Sequence, residues 1–123
     1  MTLIDELGLV AAKLSDTEFE VCLPLTDFHA QALGYLNGGV SLLLAEISAG
    51  MASNHLLADE QYFAVGQSIS AEHLRAKKSQ GQICAKGKLL YKGKSTHVWD
   101  IQMIDEKNEL ISHATVTNHI VKR

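Results

Sequence analysis

From Thr17 onward the chain alternates, with Phe19, Val21 and Leu23 falling on one side and Glu18, Glu20 and Cys22 on the other. That period of two is the signature of a half-buried strand. Residues 9–14 read as its partner, and Ser15-Asp16 suits the turn between them. Pro24, the one proline, has no amide N–H and fits the end of such a strand. Before these strands, residues 2–7 read as a short opening helix with Thr2 as N-cap and Asp5 in the first turn. Between residues 38 and 57 the period changes: Val40, Leu43, Leu44, Ile47 and Met51 recur at helical spacing. Twenty residues make a helix about 30 Å long. Leu42, Ala45, Ala49 and Ala52 fill its other faces, so burial on most sides is expected.

Residues 62–76, 81–91, 95–104 and 110–121 then read as strands rich in β-branched and aromatic side chains. The segments 77–80, 92–94 and 105–108 between them have hairpin-turn compositions. One long apolar helix followed by four hairpin-linked strands predicts an α+β fold. Its antiparallel sheet has to wrap the helix, because nothing else can cover it.

Composition narrows the class. The 123 residues suit one domain, 1–123, with a core of its own. With 46% hydrophobic and 20% charged residues and a net charge of −3, the chain has a globular balance and no general attraction to nucleic acid. Cys22 and Cys84 lie far apart in no metal-like or disulfide-like spacing and read as small buried hydrophobes of a reducing compartment. No secretory leader pattern opens the chain, and a cytoplasmic location is expected. The longest stretch without Asp, Glu, Lys or Arg, residues 28–45, holds Gln31, Asn37 and three glycines, so no membrane span is expected. The histidines are scattered singly, and no metal site is expected.

Glu46 is the first candidate for chemistry. A carboxylate amid an apolar helix is costly to bury without partners, and burial would keep it basic and poorly hydrated, as a general base or nucleophile requires. The bland alternative is a solvent stripe holding Glu46 and Asn54. The second candidate is the run Gly34-Tyr35-Leu36-Asn37-Gly38-Gly39-Val40-Ser41. Asn37 is a good N-cap, and the first amides of a helix are unpaired at its positive end, where they can hold a developing oxyanion. Glu46 lies nine residues beyond Asn37, too far for both groups to serve one carbonyl within a single chain. Either they belong to different sites or two chains combine.

The run Gln31-x-x-Gly34-x-x-Asn37-Gly38-Gly39, followed after six residues by Glu46, resembles the active-site signature of hotdog-fold acyl-CoA thioesterases. The nearer branch hydrolyses 4-hydroxybenzoyl-CoA and 1,4-dihydroxy-2-naphthoyl-CoA, the latter a step of menaquinone biosynthesis. The likeness continues through Val65-Gly66, His73-x-Arg75, Gly93, Val98-Trp99 and Asp105-Glu106-Lys107. It implies a hotdog fold, a long central helix wrapped by an antiparallel sheet, in a homo-oligomer that is a dimer or dimer of dimers. It implies hydrolysis of an acyl-CoA thioester, with an aryl or other bulky acyl group. Each site would join Gln31 and Gly38 of one chain to Glu46 of the other. Gly38 N–H would be the oxyanion donor, Gln31 would hold the carbonyl or the water, and Glu46 would be base or nucleophile. No cofactor is implied, since coenzyme A is part of the substrate.

Two positions depart from the family. Asn37 stands where a histidine is usual; it still caps and donates but cannot become cationic. Gly50 stands where close relatives carry Ser or Thr. Ser48 falls on nearly the opposite face, and Ser53 lies on the right side a turn further on. Between His73 and Trp99 the chain carries Arg75, Lys77, Lys78, Lys86, Lys88, Lys92 and Lys94 and no acid, seven of its eleven basic residues. This reads as an anion site for coenzyme A phosphates or as a solvated basic face. The resemblance selects His73, Arg75, Lys77, Lys92, Gly93 and Lys94 as coenzyme A contacts. Two rivals remain: a hotdog hydratase or dehydratase, which needs a histidine where Asn37 stands, and a non-catalytic acyl-CoA-binding protein.

Overall fold

The computed structural model describes residues 2–123. Helix α1 (Leu3–Leu7) opens on Thr2, whose hydroxyl accepts from Asp5 N–H while the Asp5 carboxylate accepts from Thr2 N–H. Strands β1 (Val10–Leu14) and β2 (Glu18–Pro24) follow, then a 3-10 turn at Asp27–His29 and helix α2 (Gly38–Leu56). Four strands complete the chain: β3 (Tyr62–His73), β4 (Gln82–Lys92), β5 (Thr96–Asp105) and β6 (Leu110–Lys122). The six strands form one antiparallel sheet in the order β1-β2-β4-β5-β6-β3. It curves around α2, which packs against β2 to β6. This is the hotdog arrangement.

One connection differs from expectation. Segment 77–80 is no hairpin turn, because β3 ends at His73 and pairs with β6 at the sheet edge, not with β4. Pairing of β2 with β4 closes the sheet over the helix and leaves β3 to the far side of β6. The chain from Leu74 to Gly81 therefore crosses the end of the sheet.

Helix α2 also turns a different face inward. Its buried residues are Ser41, Leu44, Ala45, Ser48, Ala49, Ala52 and Ser53. Of the apolar stripe Val40, Leu43, Leu44, Ile47 and Met51, only Leu44 is buried; the other four are partly exposed. Small side chains let the helix lie close against the curved sheet, whose own large residues fill the core. Trp99 and Phe19 meet edge to face with ring centres 5.2 Å apart. Beneath the helix, Ser53 Oγ accepts from Trp99 Nε1 at 2.8 Å and from Asn118 Nδ2 at 2.9 Å, and it bonds His97 Nδ1 at 2.9 Å. Ser53 therefore points into the core and is not placed to hold a water near Glu46. Burial keeps His97 below the ordinary histidine range, and the charge of Lys92 adds to that.

The cysteines are not separate thiols. Cys22 and Cys84 are directly opposed on β2 and β4 and joined by a disulfide. A sequence separation of 62 residues hides a contact that strand register creates. Among the described residues, no helix is long and apolar enough to cross a membrane.

Candidate active site

The loop before α2 is pinned along its length. His29 Nε2 bonds Leu7 O at 2.8 Å while its Nδ1 accepts from Thr26 N–H at 3.0 Å. Gln31 N–H donates to Tyr35 O at 2.7 Å, Gly34 N–H to Gln31 O at 3.0 Å, and Leu33 N–H to the Gln31 side-chain oxygen. Gly34 takes φ of 88°, a left-handed conformation that favours glycine. Leu36 N–H reaches Lys77 O at 2.7 Å, and Asn37 N–H reaches His29 O at 2.9 Å. The loop thus delivers Asn37 as the N-cap of α2, its Oδ1 accepting from Gly39 N–H at 2.8 Å. The N–H of Gly38, first in the helix, has no partner among the described residues.

Against the Cα of Gly38 lies His73, at the end of β3. A Cβ built on Gly38 would stand 2.8 Å from His73 Nε2, so only glycine lets the ring approach. The other ring nitrogen, Nδ1, bonds Ser112 Oγ at 2.8 Å. Ser112 is buried on β6 opposite His73 and fixes the ring's orientation. Gln31, Tyr35, Gly38, His73, Arg75 and Lys77 line one cavity of about 410 Å³. Lys77 Nζ is paired there with Glu106, at 2.9 and 3.3 Å, and Arg75 Nε with Glu109 at 3.1 Å.

Glu46 is elsewhere. It stands about 12 Å along the helix from Gly38. It is exposed in the single chain, contrary to the burial expected of it. The carboxylate lies against Gly66 of β3, where any side chain would collide with it. Lys92, Gly93 and Lys94 form the β4–β5 turn. Strand register runs from Lys92 to His97, then Asn118, then Gly66. That turn therefore belongs to the end of the sheet that holds Glu46. Residues singled out from the sequence thus fall into two groups: Gln31, Asn37, Gly38, His73, Arg75 and Lys77, and, apart from them, Glu46 with residues 92–94.

Sequence reasoning missed Ser112, Glu106 and Glu109 as neighbours of the cavity. Only strand pairing brings them there, and no local pattern marks it. Among the described residues, one group has the proximity of a metal site, Glu20 with Cys22 and Cys84, and its two sulfurs are bonded to each other.

The comparisons agree with this architecture. Residues 33–112 match the Thioesterase superfamily. The chain is 35% identical over 124 residues to the 1,4-dihydroxy-2-naphthoyl-CoA hydrolase of Listeria monocytogenes, covering 100% of this chain and 98% of that protein. It is 36% identical over 106 residues to the proofreading thioesterase EntH of Cronobacter sakazakii, covering 86% and 76%. A crystal structure from Lactococcus lactis superposes with a TM-score of 0.93 at 47% identity, covering 100% of this chain and 99% of the other. With its sheet wrapped around one long helix and its family match spanning the helix and strands β3 to β5, the chain belongs to the thioesterase superfamily and is a hotdog-fold thioesterase.

Proposed function

We propose that this thioesterase hydrolyses an acyl-CoA thioester carrying an aryl or other bulky acyl group, in a site that two copies of the chain share. The observation that carries the reading is the separation just described. An unpaired helix-start amide, a glutamine and an oriented histidine sit at one cavity, and the Glu46 carboxylate sits beside Gly66 on the edge strand that carries the histidine. Strand β3 is 12 residues long and pairs only with β6, so its outer edge is open to another strand. Antiparallel pairing of two β3 edges about an axis between Ile69 and Ser70 would set Gly66 of each copy opposite His73 of the other. Glu46 of one copy then faces Gly38 of its mate, and the turn 92–94 comes to the same place. The partly exposed Val40, Leu43, Ile47 and Met51 give the helix an apolar side for the mate to cover.

In this arrangement the thioester carbonyl points its oxygen at Gly38 N–H, with His73 Nε2 and the Gln31 carboxamide nitrogen alongside. Glu46 either takes a proton from the attacking water or attacks the carbonyl itself to give a mixed anhydride that water then opens. Both routes expel the coenzyme A thiolate from a tetrahedral intermediate whose negative oxygen rests on the same amide. His73, Arg75, Lys77 and the turn 92–94 supply positive or hydrogen-bonding groups for the coenzyme A portion. The identity with a 1,4-dihydroxy-2-naphthoyl-CoA hydrolase supports the aryl class and makes that thioester, and with it menaquinone biosynthesis, the first to try.

The test is thiol release over a panel of aryl, short-chain and long-chain CoA thioesters, with Glu46→Gln as control. An aryl thioester should turn over fastest, and Glu46→Gln should lower kcat by ~10²–10⁴-fold while melting like the parent. Equal turnover in a folded Glu46→Gln would sink the proposal. A parent that binds these thioesters and hydrolyses none would be an acyl-CoA-binding protein instead.

A further inference from the structure

The turn between β5 and β6 reaches both cations of the cavity, and it holds them in unlike ways. Asp105, itself buried, accepts from Lys107 N–H at 2.8 Å and from Glu109 N–H at 2.9 Å. With Asn108 at φ 63°, these bonds fix the backbone of the turn. From it Glu106 takes Lys77 Nζ on both oxygens and Gln82 N–H at 3.1 Å. The Lys77 side chain is 7% exposed. The ammonium of Lys77 and the Gln82 amide hold the Glu106 carboxyl down to about 2, so Glu106 remains a carboxylate at any working pH. Lys77 is therefore built into the wall.

Glu109 differs. Among the described residues its side chain has one polar partner, Oε2 to Arg75 Nε at 3.1 Å, and the Glu109 and Arg75 side chains are 41% and 59% exposed. A single exposed contact of this kind is weak and exchanges readily. A guanidinium matches a phosphate in a two-point fork, which this lone contact does not offer it. Arg75 lies two residues past His73 in the cavity lining, with its side chain largely open to solvent.

We infer that Glu109 is a specificity-determining residue: it occupies Arg75 while the site is empty and gives way to a substrate phosphate, so it sets how strongly phosphate-bearing thioesters are favoured. This rests on the thioesterase reading above. A thioester without phosphates has nothing to offer Arg75, and for it Glu109 is a bystander.

The experiment compares the wild type, Glu109→Gln, Arg75→Gln and the double variant on one acyl group, carried by coenzyme A or by N-acetylcysteamine. Glu109→Gln should lower KM for the CoA thioester about two- to five-fold, with kcat unchanged. KM for the phosphate-free thioester should stay where it was. High salt should erase the gain, and in the Arg75→Gln background Glu109→Gln should add nothing. An unchanged KM, or an equal shift on both carriers, would overturn the inference. Calorimetric titration of adenosine 3′,5′-bisphosphate into the same four proteins reads the same ratio without turnover. A chain that hydrolyses no thioester would thus end the functional proposal, while this titration would still decide the role of Glu109.

Discussion

Around Gly38 the site leaves no room for a methyl group, since a Cβ there would meet His73 Nε2 at 2.8 Å. Alanine is well tolerated in a helix, so Gly38→Ala should fold normally and displace the ring. A displacement of about 1 Å beside the reacting carbonyl costs on the order of 10²-fold in rate, which steady-state kinetics and a melting curve together would show. Asn37 answers a different question. Asn37→Ala removes the bond to Gly39 N–H and should cost ~1 kcal/mol of stability. If Asn37 also donates to the carbonyl, kcat falls by up to ~10²–10³ as well, and a lowered melting point with unchanged kcat would reduce it to a cap. The cap was legible because capping is local. The exposure of Glu46 was not, because a helix face is buried or bare according to what stands opposite, which periodicity does not contain. His97 carries a third residue-scale consequence. Its pKa is depressed by burial and by Lys92, so the unfolded chain binds a proton that the folded chain resists. Stability should be full above the ordinary value near 6.5 and fall as pH drops below it, and His97→Gln should flatten that dependence in urea melts at pH 7.5 and 5.5.

Elements were legible nearly to their ends, since strand alternation and helix period are set by the chain itself. Partnership among them was not. The basic, polar segment 77–80 has the composition of a tight turn, yet the chain there crosses the sheet end because β2 takes the place beside β4. The same pairing sets Cys22 against Cys84. Their disulfide ties strands 62 residues apart, a closure that on chain-entropy grounds contributes about 4 kcal/mol. Cys84→Ser, or a reducing agent, should therefore lower the urea midpoint of the intact protein by a matching amount. No shift on reduction, with two thiols titrating in the untreated protein, would show that the sulfurs are not joined in solution. Helix α2 shows the same limit from another side. Its sequence is apolar all round, and only the curvature of the sheet decides that the serine and alanine face turns in and the larger face stays partly open.

At the scale of the whole molecule, the distance between Gly38 and Glu46 posed a choice between two sites and two chains. Local geometry sharpens that choice, because the two groups abut opposite parts of one open edge strand, His73 and Gly66 of β3. A shared site makes an arithmetical prediction that a site within one chain does not. Glu46→Gln and Gln31→Ala should each be nearly inactive alone, as both sites of either dimer carry the same defect. When the two variants are unfolded together in equal amounts and refolded, about half of the dimers are mixed. Each mixed dimer holds one site with both lesions and one with neither. About a quarter of wild-type activity should therefore return, with KM unchanged, because the restored sites are wild type. Light scattering on the same sample should give at least a dimer. If the site lay within a single chain, every chain in the mixture would keep its own lesion, and mixing would restore nothing.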